Sequence, residues 1–381
     1  MLRLTRISTI YPEVIKLIEK KINNKKNYNY NKLLNEIFSF GFGESDNITK
    51  ELSKKEYICN EIIANSNSLQ NKWSDQYLNK IKNENLILEQ VKYYKSNIIY
   101  FGSYTYLSKK LLHKLRELSH VKLILVFHCS PITSKVKEKL RLSDLLITCT
   151  DGYKKELKKK IKKKTYKIPH AFNSENIIKN KNRKRNIDVA FIGSLYLKSD
   201  LHINRINLIF KLLKNFKNNY IAINFPLKNF IHFLNYLIKR RKILSFKKII
   251  SLFYKIFFIF FKSKKPIYGK NMLEILLKSK IMVNSHIANT KYAGNMRLFE
   301  GTAAGCLVFS DKKIGLNKLF NLNNEIITYS NSSDLLKKID QFLINKNMLN
   351  KISKNGQKRT MIDHSYKKRA EELNKLIKKN L

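Results

Sequence analysis

The sequence predicts two α/β domains in tandem, each built on a doubly wound parallel sheet. Three observations carry that expectation. At 381 residues the chain is too long for one average domain and long enough for two that each bury a core. Short apolar runs alternate with amphipathic runs whose apolar residues recur three and four apart, the pattern of strand, helix, strand in series. The alternation stops once, in the polar and basic "SENIIKNKNRKRN", and then begins again.

In the first series, strands read at "MLRLTRI", "YICNEIIA", "NIIYFGS", "KLILVFHCS", "DLLITCT" and "TYKIPHA", with helices such as "PEVIKLIEKKI", "LSKKLLHKLRELS" and "GYKKELKKKIKK" between them. The second series gives strands at "IDVAFIGS", "NYIAINFP", "KIMVNSH", "CLVFSD" and "EIITYS", and helices at "DLHINRINLIFKLLKNF", "GKNMLEILLKS" and "NMRLFEGTAAG". The expected organisation is a first domain over 1–173, a linker over 174–186, a second domain over 187–361 and a closing helix over 362–381. Sheets of this kind bind ligands in the crevice at the carboxyl ends of their strands.

Composition narrows the function classes. Apolar residues make up 43% of the chain, which removes a mainly disordered reading. The 76 Lys plus Arg against 28 Asp plus Glu, a formal +48, predict attraction to a polyanion. Abundant Lys, Asn and Ile also fit drift in an AT-rich genome, which accounts for a total but not for clustering. Clustering is present: no acidic residue occurs from Leu201 to Leu273, and an insertion over about 227–265 alternates Lys and Arg with aromatic and aliphatic residues. Its apolar part, "IISLFYKIFFIFF", is too short to cross a bilayer and carries Lys255 at its middle. With Arg240, Arg241, Lys242, Lys247 and Lys248 beside it, the segment over 236–265 reads as an amphipathic helix for an anionic membrane surface. The plainer reading is a core helix packed on its own sheet.

The four cysteines, Cys59, Cys129, Cys149 and Cys306, lie far apart in sequence without metal-ligand spacing and read as buried thiols in a reducing compartment. No signal-peptide pattern opens the sequence, so the expected location is cytoplasmic, peripheral to the inner face of a membrane.

The chemistry concentrates in "NMRLFEGTAAG". A carboxylate at Glu300, among Leu298, Phe299, Ala303 and Ala304, is costly to desolvate without a partner. The helix starts just after Gly294 and Asn295, so its free N–H groups and positive dipole end suit a diphosphate. Arg297 adds a planar fork for phosphate oxygens. Glu300 lies about 4.5 Å further along the helix, where a carboxylate can accept from the vicinal hydroxyls of a ribose. A GxGxxG fingerprint, a GxxxxGK phosphate loop and an Asp-x-Asp metal site are all missing, so no metal is needed to explain diphosphate binding. Gly193 and Ser194 stand where backbone amides could meet phosphate, with ordinary turn chemistry as the alternative. Tyr268 and Gly269 open a helix and could stack on a base, and Asn284 ends a strand. The expected nucleotide-contacting set is Gly193, Ser194, Tyr268, Gly269, Asn284, Gly294, Asn295, Met296, Arg297, Glu300, Gly301 and Thr302.

On these residues the chain resembles the CgeB-like group 1 glycosyltransferases, of GT-B fold. The carboxyl half carries the closer match, in "YGKNMLEILLKSKIMVNSH", "YAGNMRLFEGTAAGCLVFSD" and "NGQKRTMIDHSYKKRAEEL"; the amino half adds "RISTIYPEV", "FGFGESD" and "EIIANSNSLQNKW". The resemblance implies transfer from a UDP- or GDP-sugar donor, held by the second domain, to a glycan, lipid-linked or protein acceptor held by the first, with retention expected. It implies that Glu300 is the ribose ligand. In the wider group another glutamate stands eight residues earlier; here that position is Tyr292, which leaves His286 and Asn295 as candidates nearest the donor sugar. An inverting reaction would need a separate base, and His128 in "VFHCSP" is the candidate, against a structural role after an apolar strand. Tyr11, Pro12 and Glu13 could begin the acceptor site, and Trp73 reads equally as core. Two rival readings are a non-enzymatic polyanion-binding protein, with nucleic acid the less expected partner, and a GT-B protein that binds a nucleotide-sugar without turnover.

Overall fold

The computed structural model describes every residue except 23–27, 79–85, 174–183, 198–201, 226–230, 236–237, 239–244 and 289, and the side chains of residues 22 and 203. Most of the expected linker and the basic residues Arg240, Arg241 and Lys242 therefore lie outside the described residues. The chain divides into two compact units. Unit 1 comprises Met1–Ala171 and Ser365–Leu381; unit 2 is Phe172–His364.

Unit 1 holds a six-stranded, wholly parallel sheet of β1 (Leu2–Ser8), β2 (Tyr57–Ile63), β3 (Ile98–Phe101), β4 (Leu123–Phe127), β5 (Leu145–Thr148) and β6 (Lys164–Lys167), in the order β2-β1-β3-β4-β5-β6. Its strands read as continuous apolar runs because both faces are covered. Ile98 and Tyr100 enter one core with Leu123 and Leu125, while Ile99 and Phe101 enter the opposite core with Ile124 and Val126. The first of these cores is closed by the Tyr366–Asn380 helix, through Tyr366, Ala370, Leu373, Leu376 and Ile377. Side-chain caps fix the helix starts: Ser108 accepts from the Leu111 N–H at 3.1 Å and Thr150 from the Tyr153 N–H at 3.1 Å.

Unit 2 repeats the plan with five parallel strands, β7 (Ile187–Ser194), β8 (Asn219–Asn224), β9 (Ser279–Asn284), β10 (Leu307–Asp311) and β11 (Ile327–Tyr329), ordered β11-β10-β9-β7-β8. The reversal of direction between β7 and β9 makes this edge the switch point of the sheet. One face carries the Ile203–Asn215 and Phe246–Lys262 helices, the other the Gly269–Leu277 and Met296–Ala303 helices. The last is short and rich in small residues, so tertiary packing holds it. Its Leu298 and Phe299 are fully buried, and each contributes about 1.5–3 kcal/mol.

One expectation is corrected by the packing. Cys129 and Cys149 are not separate thiols: they meet as a disulfide, with Cα atoms 5.6 Å apart, because β4 and β5 are neighbours; Cys59 and Cys306 are free. The Phe246–Lys262 helix packs one side into its own unit, as the plainer reading expects. Ile256 and Ile259 enter the unit 2 core, with Ile249 and Leu252 packed beside them, while Phe246, Ile250, Phe253, Tyr254, Phe257 and Phe261 remain exposed along the opposite stripe. Trp73 is core, fully buried against Tyr77, Tyr93 and Tyr94. Among the described residues no helix is long and apolar enough to cross a membrane.

Candidate donor-binding site

The carboxyl ends of β7, β9 and β10 and the amino end of the Met296–Ala303 helix gather one polar cluster. The approach to that helix is set locally. Ala293 N–H donates to the Ile314 carbonyl at 3.0 Å and Ile314 N–H to Lys291 at 3.2 Å, which pins the segment containing Tyr292. Gly294 follows at φ 146°, a conformation that a side chain would strain. Asn295 then takes the N-cap position without capping. Its amide donates instead to Asn284 Oδ1 at 2.7 Å, and Asn284 donates onward to Ser310 Oγ at 3.0 Å. The first-turn N–H groups of Met296 and Arg297 are left without an acceptor among the described residues.

Arg297 is held in place by its Nε donating to the Ile192 carbonyl of β7 at 3.1 Å, and its guanidinium pairs with Glu300 Oε2 one turn on. Glu300 is 6% exposed. Its other oxygen accepts nothing from the described residues, so the carboxylate is buried, oriented and half used.

His286 follows β9. Its Nδ1 and its backbone N–H both meet Asp311 Oδ1, at 2.7 and 2.9 Å. Burial would raise the Asp311 carboxyl, but the hydrogen bonds and charge of His286, with Lys313, outweigh it and hold the group below the usual carboxylate range. With Asp311 accepting at Nδ1, the other ring nitrogen, Nε2, is turned away from it. That Nε2 is buried and unpartnered, as is Asn295 Oδ1. Two unpartnered polar atoms in one cluster can each take up a hydrogen bond with a polar ligand.

The arrangement also contains residues that the sequence reading missed. Arg205, on the Ile203–Asn215 helix, donates to the Ser194 carbonyl at 3.0 Å and to the Ser285 carbonyl. Burial pulls its pKa down to about 10 against the pull of Asp311 and Tyr329, and the charge of Arg297 adds to the drop. His202, beside it, is lowered to about 4 by burial and by Arg205, so it is neutral and accepts from the Tyr196 N–H at 2.9 Å. Tyr329 donates to the Asn284 carbonyl at 2.8 Å. "HINR" after a strand ending in Gly-Ser, and the "SD" closing "CLVFSD", were the available signals for Arg205 and Asp311.

The structure therefore brings together Ser194, Asn284, His286, Gly294, Asn295, Met296, Arg297 and Glu300. Others are placed differently. Gly193 and Ser194 are not a turn but the last paired residues of β7, opposite Ile223 and Asn224. Gly301 faces the sheet, where a Cβ would come within 2.5 Å of Met282 Sδ; it lets the helix approach rather than offering itself to a ligand. Thr302 is fully buried and shares a 2.6 Å hydrogen bond with Thr360. Tyr268 is buried as the N-cap of the Gly269–Leu277 helix, and Gly269 takes φ 56°. In unit 1, His128 is 2% exposed, packs on Tyr104 and lies 3.3 Å from Ser130 Oγ. Burial lowers its pKa against the backbone contacts of Ser130 and Pro131. Tyr11 is exposed and packs on Phe42.

Comparison with solved structures decides the architecture. Alr3699/HepE of Anabaena, solved with UDP and glucose, is similar over 100% of both chains at TM-score 0.62 and 10% identity. Sucrose-phosphate synthase of Thermosynechococcus elongatus covers 100% of this chain and 99% of its own at 0.60 and 11%. The fold is GT-B. A glycosyltransferase of Rickettsia africae is similar at 0.56 and 13% identity, over 100% of this chain and 98% of its own. Residues 240–375 match a family described as glycosyl transferase-like. No curated protein sequence matches significantly.

Proposed function

We propose that the protein is a glycosyltransferase that moves a sugar from a nucleotide-diphosphate donor to a glycan, lipid-linked or protein acceptor. The observation that carries this reading is Glu300, buried with one oxygen engaged by Arg297 and the other open, one turn from uncapped N–H groups. A pyrophosphate at the helix end and a ribose at Glu300 complete those valences. Arg297 and the first-turn amides stabilise the charge that builds on the leaving diphosphate, an electrostatic form of catalysis that calls on no metal. His286, oriented by Asp311, offers Nε2 to a donor-sugar hydroxyl in the role of the glutamate that Tyr292 replaces. A neighbour of this fold holds UDP-glucose, which makes UDP-sugars the first donors to try, with GDP-sugars second. With the sequence's resemblance to CgeB-like enzymes, retention of configuration is the outcome to test first.

Membrane contact belongs to the same reading. The exposed aromatic stripe of the Phe246–Lys262 helix, flanked by Lys247, Lys248 and Lys262, supports docking on anionic lipid beside a lipid-linked acceptor.

The test is a melting-point shift with UDP, GDP and their sugars. A nucleotide at a hundredfold over its Kd stabilises the folded protein by about 2.7 kcal/mol. Glu300→Ala should weaken binding by about 10- to 100-fold, the worth of hydrogen bonds to a charged group, and abolish donor turnover. Full affinity and activity in Glu300→Ala rejects the site.

A further inference from the structure

Away from the donor site, three side chains with soft or borderline donor atoms converge at one edge of unit 1. Cys129, Cys149 and His170 follow β4, β5 and β6, three adjacent strands, just past their carboxyl ends. The sheet register produces the meeting. Phe127 pairs with Ile147 and Thr148 with Lys167, and the pairing continues as His128 N–H to Ile147 and Ile168 N–H to Thr148, both 2.8 Å. Two steps further along that register, Cys129 stands opposite Cys149. One ligand atom from each of the three residues then lies within 4.8 Å of the other two, the one such grouping of His, Cys, Asp and Glu among the described residues.

We propose that, with the disulfide reduced, Cys129, Cys149 and His170 bind a zinc-class divalent cation. Two thiolates and an imidazole are a donor set that zinc accepts at about 2.3 Å to sulfur and 2.0–2.1 Å to nitrogen, and three protein ligands leave a fourth position open. The exchange balances: each thiol gives its proton to solvent, two metal–sulfur bonds form, and the dication with two thiolates is neutral, so it can be buried. No electron moves in this step; reduction of the disulfide beforehand takes two electrons from an external dithiol. The imidazole is ready for the role. No described residue hydrogen-bonds either ring nitrogen of His170, and Phe127 packs 5.4 Å from its ring. Because His128 immediately precedes Cys129, the bound ion would also fix the segment that carries it. This inference is independent of the donor site in unit 2.

The experiment uses the full chain, reduced with a dithiol, stripped with a chelator and transferred to reductant-free anaerobic buffer. Cobalt(II) is titrated first, for its thiolate charge-transfer absorption, and zinc then displaces it. The expected result is one equivalent bound by the wild type and by Cys59→Ser, none by Cys129→Ser or Cys149→Ser, and binding weaker by more than about tenfold in His170→Gln. An unchanged far-ultraviolet circular dichroism spectrum and a cooperative melting transition in each variant report that the chain is folded. The proposal is overturned if the reduced wild type takes up no metal, if only a disulfide re-forms in the presence of excess zinc, or if His170→Gln binds as well as the wild type.

Discussion

Glu61 in unit 1 and Glu300 in unit 2 are buried alike, at 7% and 6% exposure, yet the protein treats them differently. Glu61 lies within β2, where Arg6 Nε of β1 reaches it at 3.0 Å and Thr49 Oγ1 at 2.6 Å, and Glu44 joins Arg6 at 3.0 Å from the other side. Burial still pushes its carboxyl up to about 7 against the pull of Arg6 and Thr49. Every partner of Glu61 is supplied by the fold. Among the described residues Glu300 has one partner, Arg297, itself partly exposed, and an oxygen left over. The comparison teaches that a buried carboxylate is no mark of function; an unspent acceptor beside an uncapped helix is.

Breaking that comparison starts with the structural member. Glu61→Ala leaves Arg6 with Glu44 and the Ser45 carbonyl, and should cost about 3 kcal/mol, the low end for a broken buried pair, in chemical denaturation. Nucleotide binding should survive it under conditions where the protein remains folded. A smaller effect is expected from Gly301→Ala, which presses a methyl onto Met282 and Val308: about 2 kcal/mol of stability, together with weaker UDP binding as the helix is displaced. If Gly301→Ala leaves both unchanged, the helix is not positioned by that contact. Confined to acid is the pH effect of His202, which neither glutamate controls. Its folded pKa, about 4, lies below the ordinary value of 6.5, so the unfolded chain binds more protons between them. Its contribution is complete above about pH 6.5 and is lost as the pH falls toward 4, with a slope of at most about 1.4 kcal/mol per pH unit. His202→Gln should flatten that part of the acid limb in a stability-against-pH curve.

The strands were legible because each apolar run is buried on both faces, and the Met296–Ala303 helix because Glu300 and Arg297 are anomalous within it. What lay hidden depends on distance in sequence. Arg205 and Asp311 are 106 positions apart, and only the sheet order puts their elements at one edge. Cys129 and Cys149 meet through a register that local pattern does not fix. Gly301 and Thr302 read as ligand contacts because the motif is contiguous, whereas a helix turns successive residues to different sides.

The Tyr366–Asn380 helix completes a core whose other members lie in the first half of the chain. Translation proceeds from the amino end, so the apolar face lined by Leu4, Ile98, Leu123 and Leu145 must wait, uncovered, while all of 172–364 is made. Unit 1 thus finishes folding only after unit 2 has been made, and a product stalled or clipped before Tyr366 would expose the apolar surface that this helix covers.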